Sequence, residues 1–278
     1  MPLVIEAPVI ENRKYPNDNY VLAVRAPEIA DQVRPGQFVM AAEALHPILP
    51  SPLLKRALAV YTIEDGGHFG RLITLLLRVV GDGTHRLARL RPGDRLELVG
   101  PLGNGFDISA SKGKLTILVA GGTGIASVYL LARELLRNGE EVLLIYGGRS
   151  HEDLVGIKDF ESLNIPIIIT TEDGSAGIAG MVTDGLTDQL ERISGRHLHV
   201  VTCGPNPMMK AVAKLALAAG GSCHISVEAK MACGFGVCLG CTVKTQSAYR
   251  LACTHGPVFD AAEFVWEDNE LAIEPVRL

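Results

Sequence analysis

Residues 115–132 read LTILVAGGTGIASVYLLA, eighteen consecutive positions without a charged side chain. An apolar stretch of this length could in principle cross a bilayer as a helix. However, three of the four central residues, Gly121-Gly122-Thr123-Gly124, are glycine. The residues before them are typical of a strand, and those after them favour a helix. We therefore predict a strand, a tight turn and a helix here, and no membrane span.

Strand-like and helical runs alternate around this segment, over residues 107–220. Such alternation indicates βαβ units and a parallel sheet that is covered by helices on both faces. The strand-like runs lie at residues 115–120, 141–146, 165–170 and 199–203, and the helical stretches lie at 125–138 and 208–220.

The first 106 residues have a different sequence pattern, in which short apolar runs are separated by Pro and Gly turns. Many short strands of this kind predict a small antiparallel β-barrel. The runs lie at residues 20–24, 37–42, 57–63, 72–80 and 95–99, with a short helical piece at 84–90.

The C-terminal region, residues 221–278, contains a cluster of cysteines. Cys233, Cys238 and Cys241 follow a C-x4-C-x2-C pattern, and Cys253 comes after eleven further residues. This is the plant-type ligand spacing for a [2Fe–2S] cluster, in which four thiolates hold two irons. Glycines within the loop let the backbone fold tightly around such a core. The pattern predicts a small [2Fe–2S] domain that moves single electrons.

Other interpretations of the four thiols stay open on spacing alone. A structural zinc site normally pairs two short cysteine knuckles, whereas here one loop supplies three thiols. Unligated thiols or a disulfide are further alternatives. The chain begins MPLVIEAPVI, without the features of a signal peptide, so we expect a cytoplasmic protein. Clustered cysteines in that compartment more often bind metal or do redox work than form disulfides.

The charge balance argues against one class of partner. The chain has 26 basic and 31 acidic residues, a net charge of −5, and only 5% aromatic residues. A nucleic-acid-binding protein usually shows a basic patch or an aromatic stacking platform. We therefore expect no nucleic-acid partner.

Two strand-end turns are candidates for binding a dinucleotide. The turn Gly121–Gly124 joins a strand to a helix, where backbone N–H groups can face a pyrophosphate. It does not satisfy the G-x-G-x-x-G fingerprint, because residue 127 is serine. Cys203-Gly204-Pro205 ends a later strand of the same sheet, at the edge where ligands bind in such folds. Close strand–helix packing would explain the glycines equally well, and Cys203 could simply be a buried thiol.

The barrel region offers candidates for a second phosphate site. Arg56 lies within an apolar run and could be a surface residue or a phosphate ligand. Gly81-Asp82-Gly83-Thr84 precedes the short helical piece and could supply backbone amides and a hydroxyl. Arg149 and Ser150, at the end of the second strand of the sheet, could meet a 2′-phosphate, so these residues leave the choice between NAD and NADP open.

Taken in order, these motifs resemble a known family. They are Arg56 in the barrel, GDGT at 81–84, PLGNGF at 101–106, GGTG at 121–124, TCGP at 202–205, MACGFGVCLGC at 231–241 and ACTHGPVF at 252–259. The chain resembles the electron-transfer subunits of dihydroorotate dehydrogenase B, within the ferredoxin–NADP reductase superfamily. The cysteine loop with its trailing segment is the most specific part of the resemblance.

The resemblance implies a cofactor for each region. FAD would lie on the barrel, with Arg56 on its phosphates, Gly83 and Thr84 at the pyrophosphate, and the strand Leu76-Leu77-Arg78 along the ring or ribityl chain. NAD would lie on Gly121, Gly122, Thr123 and Gly124 and near Cys203, Gly204 and Pro205. The cluster would be held by Cys233, Cys238, Cys241 and Cys253.

The resemblance also implies a partner. A catalytic subunit containing FMN would oxidise dihydroorotate to orotate, and two copies of each chain would form a heterotetramer. Electrons would pass from the partner through the cluster and FAD to NAD+. A flavin is needed because the cluster carries one electron and NAD+ accepts two as hydride.

The sequence departs from the family at one place. Where the family usually has Pro-Ile-Ser or a similar run after the arginine, this chain has Ala57, Leu58 and Ala59. A hydrogen bond to flavin N5 would then come from a backbone amide or water. Two other interpretations stay open: a related reductase subunit of a hydrogenase or sulfide dehydrogenase complex, and a zinc-stabilised nucleotide-binding regulator.

Overall fold

The computed structural model describes residues 2–44, 54–193 and 195–267. Its strands form a closed barrel, a seven-stranded sheet and a two-stranded sheet. The strands are β1 (Leu3–Tyr15), β2 (Asn19–Arg25), β3 (Phe38–Glu43), β4 (Arg56–Asp65), β5 (Arg71–Arg78), β6 (Arg95–Leu102), β7 (Leu115–Gly121), β8 (Glu141–Gly148), β9 (Ile167–Thr171), β10 (Ile178–Ala179), β11 (Leu198–Cys203), β12 (Ser222–Ser226), β13 (Thr242–Lys244), β14 (Tyr249–Leu251) and β15 (Val258–Asp260). The helices are α1 (Pro27–Ala30), α2 (Asp82–Arg89), α3 (Ile125–Arg137), α4 (Ile157–Glu161), α5 (Val182–Arg192) and α6 (Asn206–Ala218).

The N-terminal strands close into an antiparallel barrel in the order β1-β2-β5-β4-β3-β6. The long strand β1 closes it by pairing with β6 through its first half and with β2 through its second half. Fully buried aliphatic side chains such as Leu22, Leu75 and Leu98 fill the interior. The predicted antiparallel barrel is confirmed.

The second half of the chain forms a sheet in the order β10-β9-β8-β7-β11-β12-β15. All neighbours in it are parallel except the edge pair β12 and β15. Every residue of β7 and of β11 is buried, as expected for central strands covered on both faces. The predicted parallel sheet is confirmed, and the carboxyl ends of β7 and β11 bring the two glycine turns to one edge.

The cysteines lie on the segment between β12 and β15, which also contains the two-stranded sheet of β13 and β14. The strands on either side of this segment belong to the large sheet. The predicted third, C-terminal module therefore begins and ends on that sheet. The domain ranges 1–106, 107–220 and 221–278 stay a prediction; residues 1, 45–53, 194 and 268–278 within them lie outside the described part of the chain.

The barrel packs directly on the sheet. On the barrel side, the hydroxyl of buried Tyr61 donates to a carboxylate oxygen of Asp159 and lies 3.3 Å from the carbonyl oxygen of Gly156. Asn17 donates to Asp153 over 2.9 Å. These contacts fix the outer face of the barrel relative to the carboxyl ends of the sheet strands.

In the described ranges, no helix combines the length and the apolar character needed to cross a membrane. The apolar stretch at residues 115–132 is divided between β7 and α3, as the sequence predicts.

Candidate functional site

Arg56 and the first turn of α2 converge on the outside of the barrel. Arg56 begins β4, and its guanidinium lies across Gly83, so that any Cβ at this glycine would come within 3.0 Å of the guanidinium. Real Cβ atoms essentially never approach so closely. The N-terminus of a helix carries a partial positive charge and unpaired N–H groups. A guanidinium held over a helix N-terminus concentrates positive charge, and an anionic group such as a diphosphate would neutralise it.

Thr84 closes the turn that leads into α2. Its hydroxyl donates to the carbonyl of Gly81 over 3.0 Å and accepts from the amide of Val80 over 2.9 Å. The hydroxyl proton is therefore already used inside the turn. What Thr84 can offer to a ligand is its backbone N–H, beside that of Gly83.

The residues after Arg56 form an open strip on the outer face of the barrel. Ala57 pairs with Met40 on β3, and Ala59 pairs with Phe38. Paired residues on neighbouring strands point to the same face. Met40 and Phe38 belong to the apolar core that also contains Cys241 and Cys253, outside the barrel, so Ala57 and Ala59 lie on the outer face. Ala59 is partly buried against the core that barrel and sheet share. The small, partly exposed alanines leave room there for a planar ring.

The predicted cofactor-lining residues 76–78 lie at the end of β5, and only one of their side chains is available to a ligand. The side chains of Leu76 and Leu77 are both buried, so only their backbone atoms are available. Arg78 ends β5 half-exposed, with its guanidinium 3.9 Å from a carboxylate oxygen of Asp153. Of these three predicted residues, Arg78 is the one whose side chain reaches the cleft between barrel and sheet.

The two glycine turns pack tightly against each other at the sheet edge. A Cβ on Gly124 would clash with the carbonyl of Cys203, and a Cβ on Gly121 would lie 2.5 Å from the sulfur of Met208. Gly204 has a φ of +155°, and a Cβ on it would lie 3.1 Å from the amide nitrogen of Gly121. At these three positions only glycine allows the backbones to approach.

By contrast, the middle of the first turn is open. Gly122 has a φ of +52°, and no atom lies within 4 Å of a Cβ built there. Thr123 follows it on the same open turn, ahead of α3. Pro205 precedes α6, so two helix N-termini face this edge. An anionic dinucleotide would meet open backbone rather than side chains here.

The thiol of Cys203 is fully buried beside the two turns and donates to the hydroxyl of Ser127 over 3.3 Å. Burial raises its pKa to about 12, and the nearby carboxylate of Glu228 adds to the shift. The thiol is therefore neutral at physiological pH and cannot act as a nucleophile.

Glu228 is a site residue that the sequence did not suggest. It follows β12, whose carboxyl end lies beside that of β11. Its side chain is accessible to solvent but protein surrounds it, and this desolvation raises the pKa of the carboxyl. Recognising residues 222–226 as a further parallel strand would have directed attention to it.

The positive charge of Arg149, which directly follows β8, is partly neutralised. Its Nε lies 3.5 Å from a carboxylate oxygen of buried Asp153, which also accepts from the Arg149 amide over 3.1 Å. The arginine that could meet a 2′-phosphate thus already has an acidic partner.

The four cysteines of the C-terminal segment associate in two pairs. The amide of Cys238 donates to the sulfur of Cys233 over 3.4 Å. Burial would raise the pKa of Cys233, but backbone amides, that of Cys238 above all, outweigh it and lower the pKa to about 6. Cys241 and Cys253 are both buried, and their side chains are hydrogen-bonded to each other.

This pairing suits a two-iron centre. Across residues 2–44, 54–193 and 195–267, no three His, Cys, Asp or Glu side chains are grouped as they would be around one metal ion. A [2Fe–2S] cluster distributes four thiolates over two irons. Three thiols on the glycine-rich loop and a fourth after β14, arranged in two pairs of which one faces backbone amides, fit that donor set.

Large apolar side chains surround the exposed end of the cysteine loop. Cys238 is itself exposed. The apolar residues close to it in the sequence are 47%, 72% and 62% exposed at Phe235, Val237 and Leu239, respectively. Tyr249 on β14 is 71% exposed. Large apolar side chains exposed at such density on one short loop are typical of an interaction site.

Comparisons with known proteins agree with this geometry. Residues 228–265 match the iron-sulfur cluster binding domain of dihydroorotate dehydrogenase B, and residues 118–214 match the oxidoreductase NAD-binding domain. A dihydroorotate dehydrogenase B (NAD(+)) electron transfer subunit from Caldanaerobacter subterraneus is 34% identical, over 94% of this chain and 98% of the relative. An electron transfer subunit homolog from Aquifex aeolicus is 36% identical, also over 94% of this chain and 98% of the relative.

The chain belongs to the dihydroorotate dehydrogenase B electron transfer subunit family. The family predicted from the motifs is confirmed. Among solved structures, a chain of the NADH-dependent reduced ferredoxin-NADP oxidoreductase has a TM-score of 0.84 and 29% identity, covering 96% of this chain and 92% of that one. A ferredoxin NADP+ reductase from Neisseria gonorrhoeae shares the fold, with a TM-score of 0.63 and 16% identity over 78% of this chain and 92% of that one.

Membership of the dihydroorotate dehydrogenase B family leaves the individual residue assignments as predictions. The structure brings Arg56, Gly83 and Thr84 together on the barrel, and Gly121 to Gly124 together with Cys203 to Pro205 on the sheet edge. It separates Leu76 and Leu77 from any surface by burying their side chains.

Proposed function

We propose that this chain carries electrons from a catalytic partner subunit, which oxidises dihydroorotate to orotate in pyrimidine biosynthesis, to NAD+. The observation that carries the proposal is the packing of the cysteine loop against barrel strand β3, whose neighbour β4 holds Arg56. An iron–sulfur segment and a flavin-type barrel are thereby placed side by side, with the dinucleotide turns on the adjoining sheet.

The cofactors are FAD, a [2Fe–2S] cluster and NAD. FAD can exchange electrons singly with the cluster and in pairs with NAD+. For each dihydroorotate oxidised, two electrons cross the chain and leave with a proton as the hydride of NADH, while one proton is released. The protein supplies binding and positioning, and no side chain of the chain has to act as an acid or base.

Each cofactor has its own set of residues in this proposal. Arg56 and the amides of Gly83 and Thr84 hold the diphosphate of FAD, and the strip of Ala57, Leu58 and Ala59 with Arg78 borders its ring. The open turn Gly121–Gly124 and the segment Cys203–Pro205 hold NAD. Cys233, Cys238, Cys241 and Cys253 ligate the cluster. The three ranges 1–106, 107–220 and 221–278 correspond to these three tasks.

The catalytic partner docks on the exposed apolar surface around Cys238. Phe235, Val237, Leu239 and Tyr249 are the kind of side chains that interface centres bury. A partner seated there would bring its own redox group next to the cluster. We propose that this partner contains FMN, that two copies of each chain form a heterotetramer, and that the complex is cytoplasmic.

A native pull-down tests the proposed function. The chain would be purified with its bound partner under anaerobic conditions, and the complex assayed for FAD, FMN, iron and acid-labile sulfide. We expect the complex to reduce NAD+ with dihydroorotate, and the isolated chain to oxidise NADH with an artificial acceptor only. A copurifying partner that leaves dihydroorotate unchanged, or a complex without acid-labile sulfide, would contradict the proposal.

A further inference from the structure

The cysteine loop touches the barrel through a glycine. Gly234, next to Cys233, has a φ of +82°. A Cβ at this position would lie 2.9 Å from the sulfur of Met40 and 3.1 Å from a methyl carbon of Leu102. The backbone of the loop is therefore in van der Waals contact with the barrel, and any side chain would push the two apart.

Met40 lies between the cysteine loop and the outer face of the barrel. It is in the middle of β3, has no exposed surface, and packs in one apolar core with Cys241 and Cys253. Its cross-strand neighbour is Ala57, which is exposed on the same face. One side of Met40 thus meets the segment that carries the thiols, and the other side meets the strip proposed to border the flavin.

A second contact fixes the other end of the segment to the barrel. The amide of Asn104 donates to the carbonyl of Gly256 over 2.6 Å, and its side-chain amide donates to the carbonyl of Thr254 over 3.0 Å. A Cβ at Gly103 would lie 2.6 Å from Pro257. Because both ends of the segment are held, the distance between the thiols and the barrel cannot relax freely if one contact is changed.

From this arrangement we propose that Met40 and Gly234 are positioning residues that set the separation between the flavin and the iron–sulfur cluster. The inference rests on the proposed function, because it needs both cofactors at the sites named above. It adds no chemical step. Met40 fills the space between the two sites. Because Gly234 has no side chain, the loop approaches the barrel until the width of that space is one methionine side chain.

The test uses the full chain with both cofactors loaded and four variants. Gly234→Ala should widen the space between the cysteine loop and the barrel, and Met40→Ala should leave that space unfilled. Met40→Leu conserves side-chain volume and should restore normal behaviour. Val4→Ala is the control, because it shortens another apolar side chain of the barrel, on β1, that is 69% exposed.

Three properties are read for each variant: flavin and acid-labile sulfide content, the paramagnetic spectrum of the reduced cluster, and the stopped-flow rates of flavin and then cluster reduction by NADH. We expect Gly234→Ala and Met40→Ala to keep the wild-type rate of flavin reduction. Their cluster reduction should slow several-fold, because electron transfer between two bound redox groups slows as their separation grows. Met40→Leu and Val4→Ala should match the wild type.

Wild-type cluster reduction rates in Gly234→Ala or in Met40→Ala would overturn the inference. If Gly234→Ala fails to assemble a cluster, the two Met40 variants decide the question. Equal rates of cluster reduction in Met40→Ala and Met40→Leu contradict the inference, whereas slower reduction in Met40→Ala supports it. Wild-type protein that binds no flavin or no cluster would instead defeat the proposed function, so the two failures are distinguishable.

Discussion

Gly124 and Cys203 are in direct backbone contact: a Cβ on the glycine would come within 3.0 Å of the carbonyl oxygen of the cysteine. This contact joins the turn after β7 to the turn after β11. Because the obstacle is backbone and not a flexible side chain, it cannot move aside without distorting both turns.

Gly124→Ala should therefore abolish reduction of the bound flavin by NADH while FAD content stays normal. Forcing a methyl group into such a contact typically costs about 1–3 kcal/mol and shifts the backbone. Stopped-flow mixing with NADH measures the effect. Leu217→Ala is the control, because this exposed residue lies near the end of α6, away from the two turns. Normal flavin reduction in Gly124→Ala would move the nicotinamide site elsewhere.

Arg56→Ala should release FAD. Loss of a charge-assisted contact to a phosphate is worth about 1.5–3 kcal/mol, or roughly a 10- to 150-fold weaker affinity. Flavin content after desalting, followed by titration of the apoprotein with FAD, measures the loss. Arg95→Ala removes another arginine of the same barrel, exposed and 4.0 Å from Glu6, and should leave flavin content unchanged. Equal retention in both variants would exclude Arg56 as the phosphate ligand.

Cys238→Ala should eliminate the visible absorption of the cluster and its acid-labile sulfide, because one iron loses a thiolate. Gly234 makes the contact with the barrel, whereas Cys238 is at the exposed end of the loop, so most FAD should remain bound. Cys223→Ala is the control: this cysteine is buried on β12, away from the loop. An intact cluster in Cys238→Ala would remove that residue from the ligand set.

A pair of histidines should make the fold sensitive to acid. His199 on β11 is buried, with its Nδ1 2.9 Å from the Ser222 hydroxyl, and its ring packs edge-on against that of His224. Burial lowers the pKa of His199 to about 3, with His224 and Lys114 adding to the shift and Asp107 opposing it. Burial also lowers the pKa of His224, against the opposing charges of Asp260 and Asp107.

A histidine whose pKa is depressed in the folded state is protonated more readily when unfolded, so stability is lost as pH falls below about 6.5. Between pH 7.5 and pH 5.5, His199 alone should cost about 1.4 kcal/mol. Melting temperatures over this range should fall in the wild type and fall less in His199→Gln. His68→Gln, a change at an exposed residue of the barrel, should retain the wild-type slope. Parallel profiles for all three proteins would contradict the assignment.

The sequence predicts the barrel and the parallel sheet because both rest on local alternation of apolar residues. It misses β1, although this strand closes the barrel. Pro8 and several charged residues interrupt the pattern there, and proline normally argues against a strand interior. In the structure, Pro8 lies where β1 changes partner from β6 to β2, so its missing N–H removes little from either ladder.

The site is predictable only in part, for a related reason. Cysteine spacing and glycine turns are local signals and can be found in the sequence. The contact of Gly234 with Met40 joins residues that are far apart in the chain. The local sequence around either residue gives no sign of this contact. Glu228 is missed because β12 is short and its role as a sheet strand depends on pairing with β11.

The pairing of β12 with β15 has a consequence for assembly of the iron centre. Ile225 faces Phe259 and Ser226 faces Val258, so the residues that precede and follow the thiol segment are hydrogen-bonded to each other. Removing iron and sulfide would release the segment, and the backbone amides of β15 should then exchange with deuterium faster than in the loaded protein. Those of β9, near the opposite edge of the sheet, should exchange at an unchanged rate. Isotope uptake along this margin of the nucleotide sheet would thus report whether the metal centre is occupied.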